Sequence, residues 1–148
     1  MVENELGDLR RLANQRALTL HSQAYTALAT GNLYYTVRPT LRTNTSIPGT
    51  NRRTAVTAFR LLTQHCRLNS HLKLLSIVSS NKCTHCQSRA AQTVAHILFK
   101  CTAFNAQRQA FINVLNKNKT RHTLIEVLKN KQTLLAAANF VNNIRIEL

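Results

Sequence analysis

Three of the four cysteines and two of the six histidines fall in one stretch, NKCTHCQSRAAQTVAHILFKC, residues 81 to 101. The spacing is Cys83-x2-Cys86-x9-His96-x4-Cys101. Two residues between cysteines suit a tight turn that aims both sulfurs at one ion, with turn amides donating to them. Five positions from His96 to Cys101 rotate a straight α-helix by about 140° beyond a full turn. For both to reach one metal, the helix must end or loosen before Cys101. Three thiolates and one imidazole suit tetrahedral Zn²⁺. They leave the site at net −1, and Lys82, Arg89 and Lys100 flank it, with a field that favours the thiolates. All four positions would be filled by protein, so the site is closed, which is the mark of a structural metal.

Other readings of these residues stay open at this point. Cys83-x2-Cys86 alone would serve as a redox pair, but the flanks lack a thioredoxin-like strand–helix context. His96 alone would be a satisfied core histidine, and the spacing of the whole set would then be coincidence. His85 lies inside the turn and is expected to be exposed and no ligand. Cys66 and His65 are expected on a helix, as packing or surface residues.

Charge narrows the function further. Twenty Lys and Arg face five Asp and Glu, a formal net charge of +15. Between Leu9 and Ile125 there are 17 basic residues and no side-chain carboxylate. Nucleic acid is the usual partner of such a surface, because bound cations release counterions condensed on the phosphates. A basic protein with no nucleic-acid role is the competing reading. The same deficit argues against two-metal nucleases and polymerases, paired-carboxylate hydrolases and a Ser-His-Asp arrangement, all of which need acids. No Gly-rich phosphate loop is present. No run of 18 apolar residues and no signal-peptide pattern occurs, so the chain reads as soluble and not secreted; an intracellular, nuclear setting is the accompanying expectation. In a reducing compartment, clustered cysteines favour metal over disulfides.

The elements that must position these residues are helical. Three glycines and two prolines leave few breakers, and with aromatics at 5% the core must be aliphatic. Residues 5 to 30 read as one or two helices, with Leu6, Leu9, Leu12, Ala13, Ala17 and Leu20 near helical spacing and Gly31 as the stop. Residues 36 to 51 hold both prolines and five threonines, as a linker would. Residues 52 to 65 predict a helix with Val56, Phe59 and Leu62 on one stripe. Asn69 is placed to cap a short helix whose apolar face is Leu72 and Leu75. Thr93 and Val94 would open a helix through the second half of the cysteine cluster. Residues 103 to 116 set Phe104, Phe111, Val114 and Leu115 at helical intervals. Thr123-x-x-Glu126 has capping-box spacing. Thr133 would start a last helix with Leu134, Ala138, Val141 and Ile144 inward.

The block AFRLLTQHCRLNSHLKLLSIVSSNKCTHC, followed by QTVAHILFKC and FNAQR, resembles the zinc-binding region near the C-terminus of non-LTR (LINE-type) retrotransposon polyproteins. That family's pattern has an LRTGHCRLNSYL-like helix, a CxxC, an ETVxHxLFxC segment and a following QR. The likeness spans residues 54 to 108. Leu61, Leu62, Thr63, His65 to Ser70 and Leu72 follow it closely. Gln64 stands where the family has Gly, and Gln92 where it has Glu. The resemblance places Cys83, Cys86, His96 and Cys101 on the family's metal ligands. A weaker likeness joins ENELGDLRRLA to the GNExADxLA segment that ends many ribonuclease H domains, with Asp8 at that domain's last catalytic carboxylate. The remaining acids and the polymerase YxDD signature are absent, so the resemblance implies a piece of a polyprotein without its enzymes.

The expected fold is therefore mostly α: a small helical domain with a CCHC zinc loop and a flexible N-terminal linker. Its expected parts are 1–31 (a helical segment resembling a ribonuclease H tail), 32–51 (linker), 52–132 (the zinc-binding domain) and 133–148 (a C-terminal helix). The resemblance implies a module that grips RNA or DNA phosphates during reverse transcription, alongside the rest of a polyprotein. It implies no catalysis of its own, no small-molecule substrate and no membrane. Arg52, Arg53, Arg60, Arg67 and Lys73 are the candidate phosphate contacts. The alternative is a structural or interaction remnant in which zinc only staples helices.

Overall fold

The computed structural model describes residues 2–28, 31–39, 51–146 and 148. It is mostly helical, as expected, and no strand occurs among these residues. The chain divides into two compact units, Met1–Thr45 and Ser46–Leu148.

In the first unit α1 spans Val2–Leu28 and α2 spans Leu33–Val37. Gly31, between them, has φ +79°, a left-handed position that glycine takes without steric cost. Asn32 caps α2, its side chain accepting from the Tyr34 amide. The Tyr25 hydroxyl donates to the Arg38 carbonyl at 2.6 Å, and the Tyr25 ring meets Tyr35 edge-on at 4.6 Å. The stripe along α1 leaves Leu9, Leu12 and Leu20 exposed. The stretch expected as a linker, 32 to 51, carries α2 in its first part, and its residues 40–50 lie outside those described.

The second unit is built around its last helix. Here α3 is Arg52–Thr63, α4 Asn69–Leu74, α5 Asn105–Lys117, α6 Leu124–Lys129 and α7 Lys131–Asn143. Helix α7 packs against α3, α5 and α6. Ala58 and Leu61 of α3, Leu115 of α5, Val127 and Leu128 of α6, and Leu134, Ala137 and Ala138 of α7 are wholly buried. Full burial of one such leucine is worth about 1.5–3 kcal/mol. Phe111 stacks on Phe140 at 5.7 Å and lies 6.1 Å from Phe99.

The helix signals were partly displaced. Asn51 caps α3, its side chain accepting from the Thr54 amide, and Gln64 ends the helix at φ +59°. The buried face of α3 is Thr54, Thr57, Ala58, Leu61 and Leu62, whereas Val56 and Phe59 are exposed. The polar face turns inward because Thr57 hydrogen-bonds across to Asn142 of α7 at 2.9 Å. His65 and Cys66 lie beyond the end of α3, His65 exposed and Cys66 buried. Leu75, the residue that caps the C-terminal end of α4, is exposed, and Asn69 is the first helical residue instead of the cap. Thr123 accepts from the Glu126 amide, as the capping-box spacing predicts. The cap of α7 is Asn130, whose side chain accepts from the Gln132 and Thr133 amides. Thr133, expected to start that helix, is instead buried inside it. Its hydroxyl donates to the Val127 carbonyl at 2.7 Å.

Candidate metal centre and basic groove

Residues 81 to 92 form a narrow reversal that carries Cys83 and Cys86. Lys82 and Ala91 form an isolated antiparallel bridge, the Cys83 amide donates to the Ala90 carbonyl at 2.8 Å, and the Gln92 amide to the Asn81 carbonyl at 2.7 Å. Arg89 turns the chain back with φ +54°. Gln92 ties this reversal to α4. It is buried, and its side-chain oxygen accepts from the Asn69 amide at 2.9 Å. It thereby satisfies an orphan donor at the start of α4, whose own N-cap residue, Leu68, makes no side-chain cap bond. The Asn69 side chain in turn donates to the Lys82 carbonyl.

The second ligand pair sits on a loosened helix. Thr93 Oγ1 accepts from the His96 amide, and residues His96–Lys100 form a π-helical turn. The Cys101 amide closes the turn on the His96 carbonyl at 2.7 Å. A five-residue closure brings residues five apart onto one side, which a straight α-helix would not do. Ile97 and Leu98, between the two ligands, are buried.

The metal-capable atoms of Cys83, Cys86, His96 and Cys101 all lie within 4.8 Å of one another. Cys83 and Cys101 sulfurs are 3.9 Å apart, and the Cys86 sulfur is 3.4 Å from His96 Nε2. Cys83, His96 and Cys101 are buried and Cys86 is half-buried. This set could hold a metal ion. All four cysteines, Cys66 included, are free thiols. His85 stands outside the set, exposed, with its ring 5.3 Å from Phe104.

The thiols differ in acidity. The hydroxyl and amide of Ser88 hydrogen-bond Cys86 and pull its pKa down to about 6. Burial pushes Cys101 up to about 11 and raises Cys66 as well.

Arg108 of α5 lies beneath the site and was not singled out from the sequence. Its Nη2 donates to the carbonyls of Ile97 at 3.3 Å and Cys101 at 2.5 Å, and its Nη1 to Asn105 Oδ1 at 2.7 Å. The guanidinium also faces the Phe140 ring at 6.0 Å. Burial lowers its pKa, while the Cys101 thiolate acts in the opposite direction. Its signal was the QR of FNAQR, which marked the position without a role.

Of the five candidate phosphate contacts, four share one place. Arg52, Arg53, Arg60 and Arg67 line a groove of about 1090 Å³ together with Asn142, Arg145 and Leu148. The groove runs between α3 and the segment that follows α7. An Arg60 N–H donates to the Leu148 carbonyl. Lys73 is exposed on α4 and is not part of the lining. Arg145, which lines the groove from beyond the end of α7, holds φ +56°. No sequence pattern pointed to it.

No family model, curated protein or solved structure matches the chain. Among the described residues no helix is long and apolar enough to cross a membrane.

Proposed function

We propose that this chain is a zinc-stapled helical module that grips nucleic-acid phosphates. The observation that carries the reading is the convergence of Cys83, Cys86, His96 and Cys101. A tetrahedral zinc with bonds of about 2.3 Å to sulfur and 2.0–2.1 Å to nitrogen needs ligand–ligand edges of about 3.5–3.8 Å. The sulfur pair at 3.9 Å and the sulfur–nitrogen pair at 3.4 Å lie close to that figure, and the whole set, within 4.8 Å, would draw in slightly around an ion. Four protein ligands leave no position for a substrate, so the ion would act as a folding staple and the module would have no catalysis of its own.

The arginine groove supports the second half. Arg52, Arg53, Arg60, Arg67 and Arg145 bring five guanidiniums to one concavity, and guanidinium suits phosphate better than a point charge does. Among the described residues of 46–148, Glu126 is the one side-chain carboxylate, and it pairs with Lys129 at 3.2 Å. The retrotransposon reading rests on the motif likeness alone. On it the module would work in the nucleus, holding RNA or target DNA for enzymes elsewhere in a polyprotein.

The test is zinc stoichiometry of the purified chain, followed on the same sample by binding to RNA and duplex DNA across salt. One zinc per chain and a log K falling steeply with log salt are expected, with a slope near −0.9 per phosphate contact on duplex DNA. Weak binding that is flat with salt would remove the nucleic-acid half and leave a structural module.

A further inference from the structure

Arg108 is a buried cation with no carboxylate partner among the described residues. It is 7% exposed. The side-chain carboxylate described in its unit, Glu126, is already paired with Lys129. A buried guanidinium without an opposite charge is costly, because the low-dielectric interior replaces its hydration poorly. Its polar partners are instead two carbonyls of the ligand turn and one side-chain amide oxygen. The Nε atom, also buried, has no partner.

Those two carbonyls are a particular pair. The turn ends at Cys101, whose backbone is extended, so the helical ladder stops here, and the Cys101 carbonyl keeps one long amide bond, from Phe104 at 3.4 Å. Arg108 donates to Ile97, next to one ligand, and to Cys101, which is itself a ligand position. Its other face lies over Phe140 of α7. One side chain therefore connects the turn carrying His96 and Cys101 to the helical core.

The charge arithmetic supplies the reason. Three thiolates and a neutral imidazole around a divalent ion sum to −1. The flanking Lys82, Arg89 and Lys100 are all exposed, where water screens them. Arg108 alone of the nearby cations is buried against the site.

We propose that Arg108 is the positioning residue and buried counter-ion of the metal centre. Its guanidinium clamps the ligand turn to α5 and balances the negative charge that three thiolates leave on a divalent ion. The inference rests on the metal reading above. It carries a reciprocal consequence: whatever Arg108 adds to metal affinity, bound metal adds to the stability of the chain that keeps Arg108 in place.

The experiment uses the full chain with Co²⁺ as a spectroscopic probe and Zn²⁺ in competition. It compares wild type, Arg108→Met and Arg108→Lys, and follows thermal unfolding of loaded and chelated forms. Wild type decides the metal reading by itself: absence of a thiolate-to-cobalt band overturns that reading and this inference together. Given binding, Arg108→Met should weaken metal affinity roughly 10- to 100-fold. The loaded variant should lose more thermal stability, relative to loaded wild type, than the chelated variant loses relative to chelated wild type. Arg108→Lys keeps the charge but lacks the fork, so it should recover part of the affinity with a shifted cobalt spectrum. Equal destabilisation of both forms by Arg108→Met, with cobalt affinity and spectrum unchanged, would reduce Arg108 to packing. Should Arg108→Met fail to fold even when loaded, Arg108→Lys decides. An affinity and spectrum identical to wild type would then overturn the proposal.

Discussion

The Cys101 amide donates to the His96 carbonyl at 2.7 Å, and this bond closes a turn of five residues between two candidate metal ligands. In an α-helix the two side chains would diverge by about 140°. The wider turn reduces that divergence, and Arg108 donates to the Ile97 and Cys101 carbonyls near its end. The ligand spacing is thus made usable by a local change of helix type.

The ligand set makes a stoichiometric prediction. Wild type should hold one zinc per chain, and Cys101→Ser should lose tight binding together with a large part of its thermal stability. Structural zinc in small domains contributes about 10–16 kcal/mol of binding free energy, much of it expressed as folding. Cys66→Ser should keep one zinc per chain, because Cys66 lies outside the set. Metal analysis with thermal melts, with and without chelator, checks both. Full zinc retention in Cys101→Ser would remove that ligand from the site.

Thiol reactivity should separate the cysteines. In the chelated chain Cys86 is expected to alkylate fastest at neutral pH, since Ser88 holds its pKa near 6 and keeps it ionised. Its rate should level off once pH exceeds about 6, whereas that of Cys101 keeps climbing toward about 11. Buried Cys66, with its pKa raised, should be slow. Added zinc should protect Cys86 and leave Cys66 unchanged. Mass spectrometry of iodoacetamide-labelled peptides reads all four sites, and equal protection of Cys66 and Cys86 would contradict the assignment.

The groove predicts which cations matter for nucleic acid. Arg52→Ala, Arg53→Ala and Arg145→Ala should each weaken binding to duplex DNA and flatten the salt slope by about 0.9. Lys73→Ala, outside the groove lining, should leave the slope where it was. Titrations by fluorescence anisotropy at several salt concentrations make the comparison. A loss for Lys73→Ala equal to that for the groove arginines would place the interface elsewhere.

A core polar contact gives a stability prediction independent of metal and ligand. Thr133 donates its hydroxyl to the Val127 carbonyl at 2.7 Å where α6 passes into α7. Thr133→Val keeps the shape but strands that carbonyl, at an expected cost of about 1–3 kcal/mol. Thr133→Ser should recover most of the loss, because the donor returns. Denaturant unfolding of the zinc-loaded chain measures the difference, and a Val variant as stable as wild type would show the bond to be energetically neutral.

Much of this protein was legible in one dimension. Few glycines and prolines with helical apolar spacing predicted a mostly helical fold, and the four candidate ligands stood out because metal coordination demands Cys and His at short local intervals. Local capping also carried through at Thr123, since its partner is three residues away. The failures were non-local. Val56 and Phe59 look like a core stripe in sequence, yet Thr57 faces inward because Asn142, 85 residues on, offers a partner. Asn69 looks like a cap, yet the oxygen near that helix start belongs to Gln92, 23 residues away.

Residue types and short spacings alone specify the helical class, the excess positive charge and a local set of candidate ligands. These depend on residue types and on spacings that a turn or two of chain can satisfy. Which arginines share a groove, and which one is buried, depends on packing between distant elements. Arg52 and Arg145 meet in one groove only through the packing of α3 against α7, and Arg108 lies beneath the ligand turn only because α5 is docked there. Charge is a property of each residue, but its effect depends on distance and on the surrounding dielectric, and both are set by the fold.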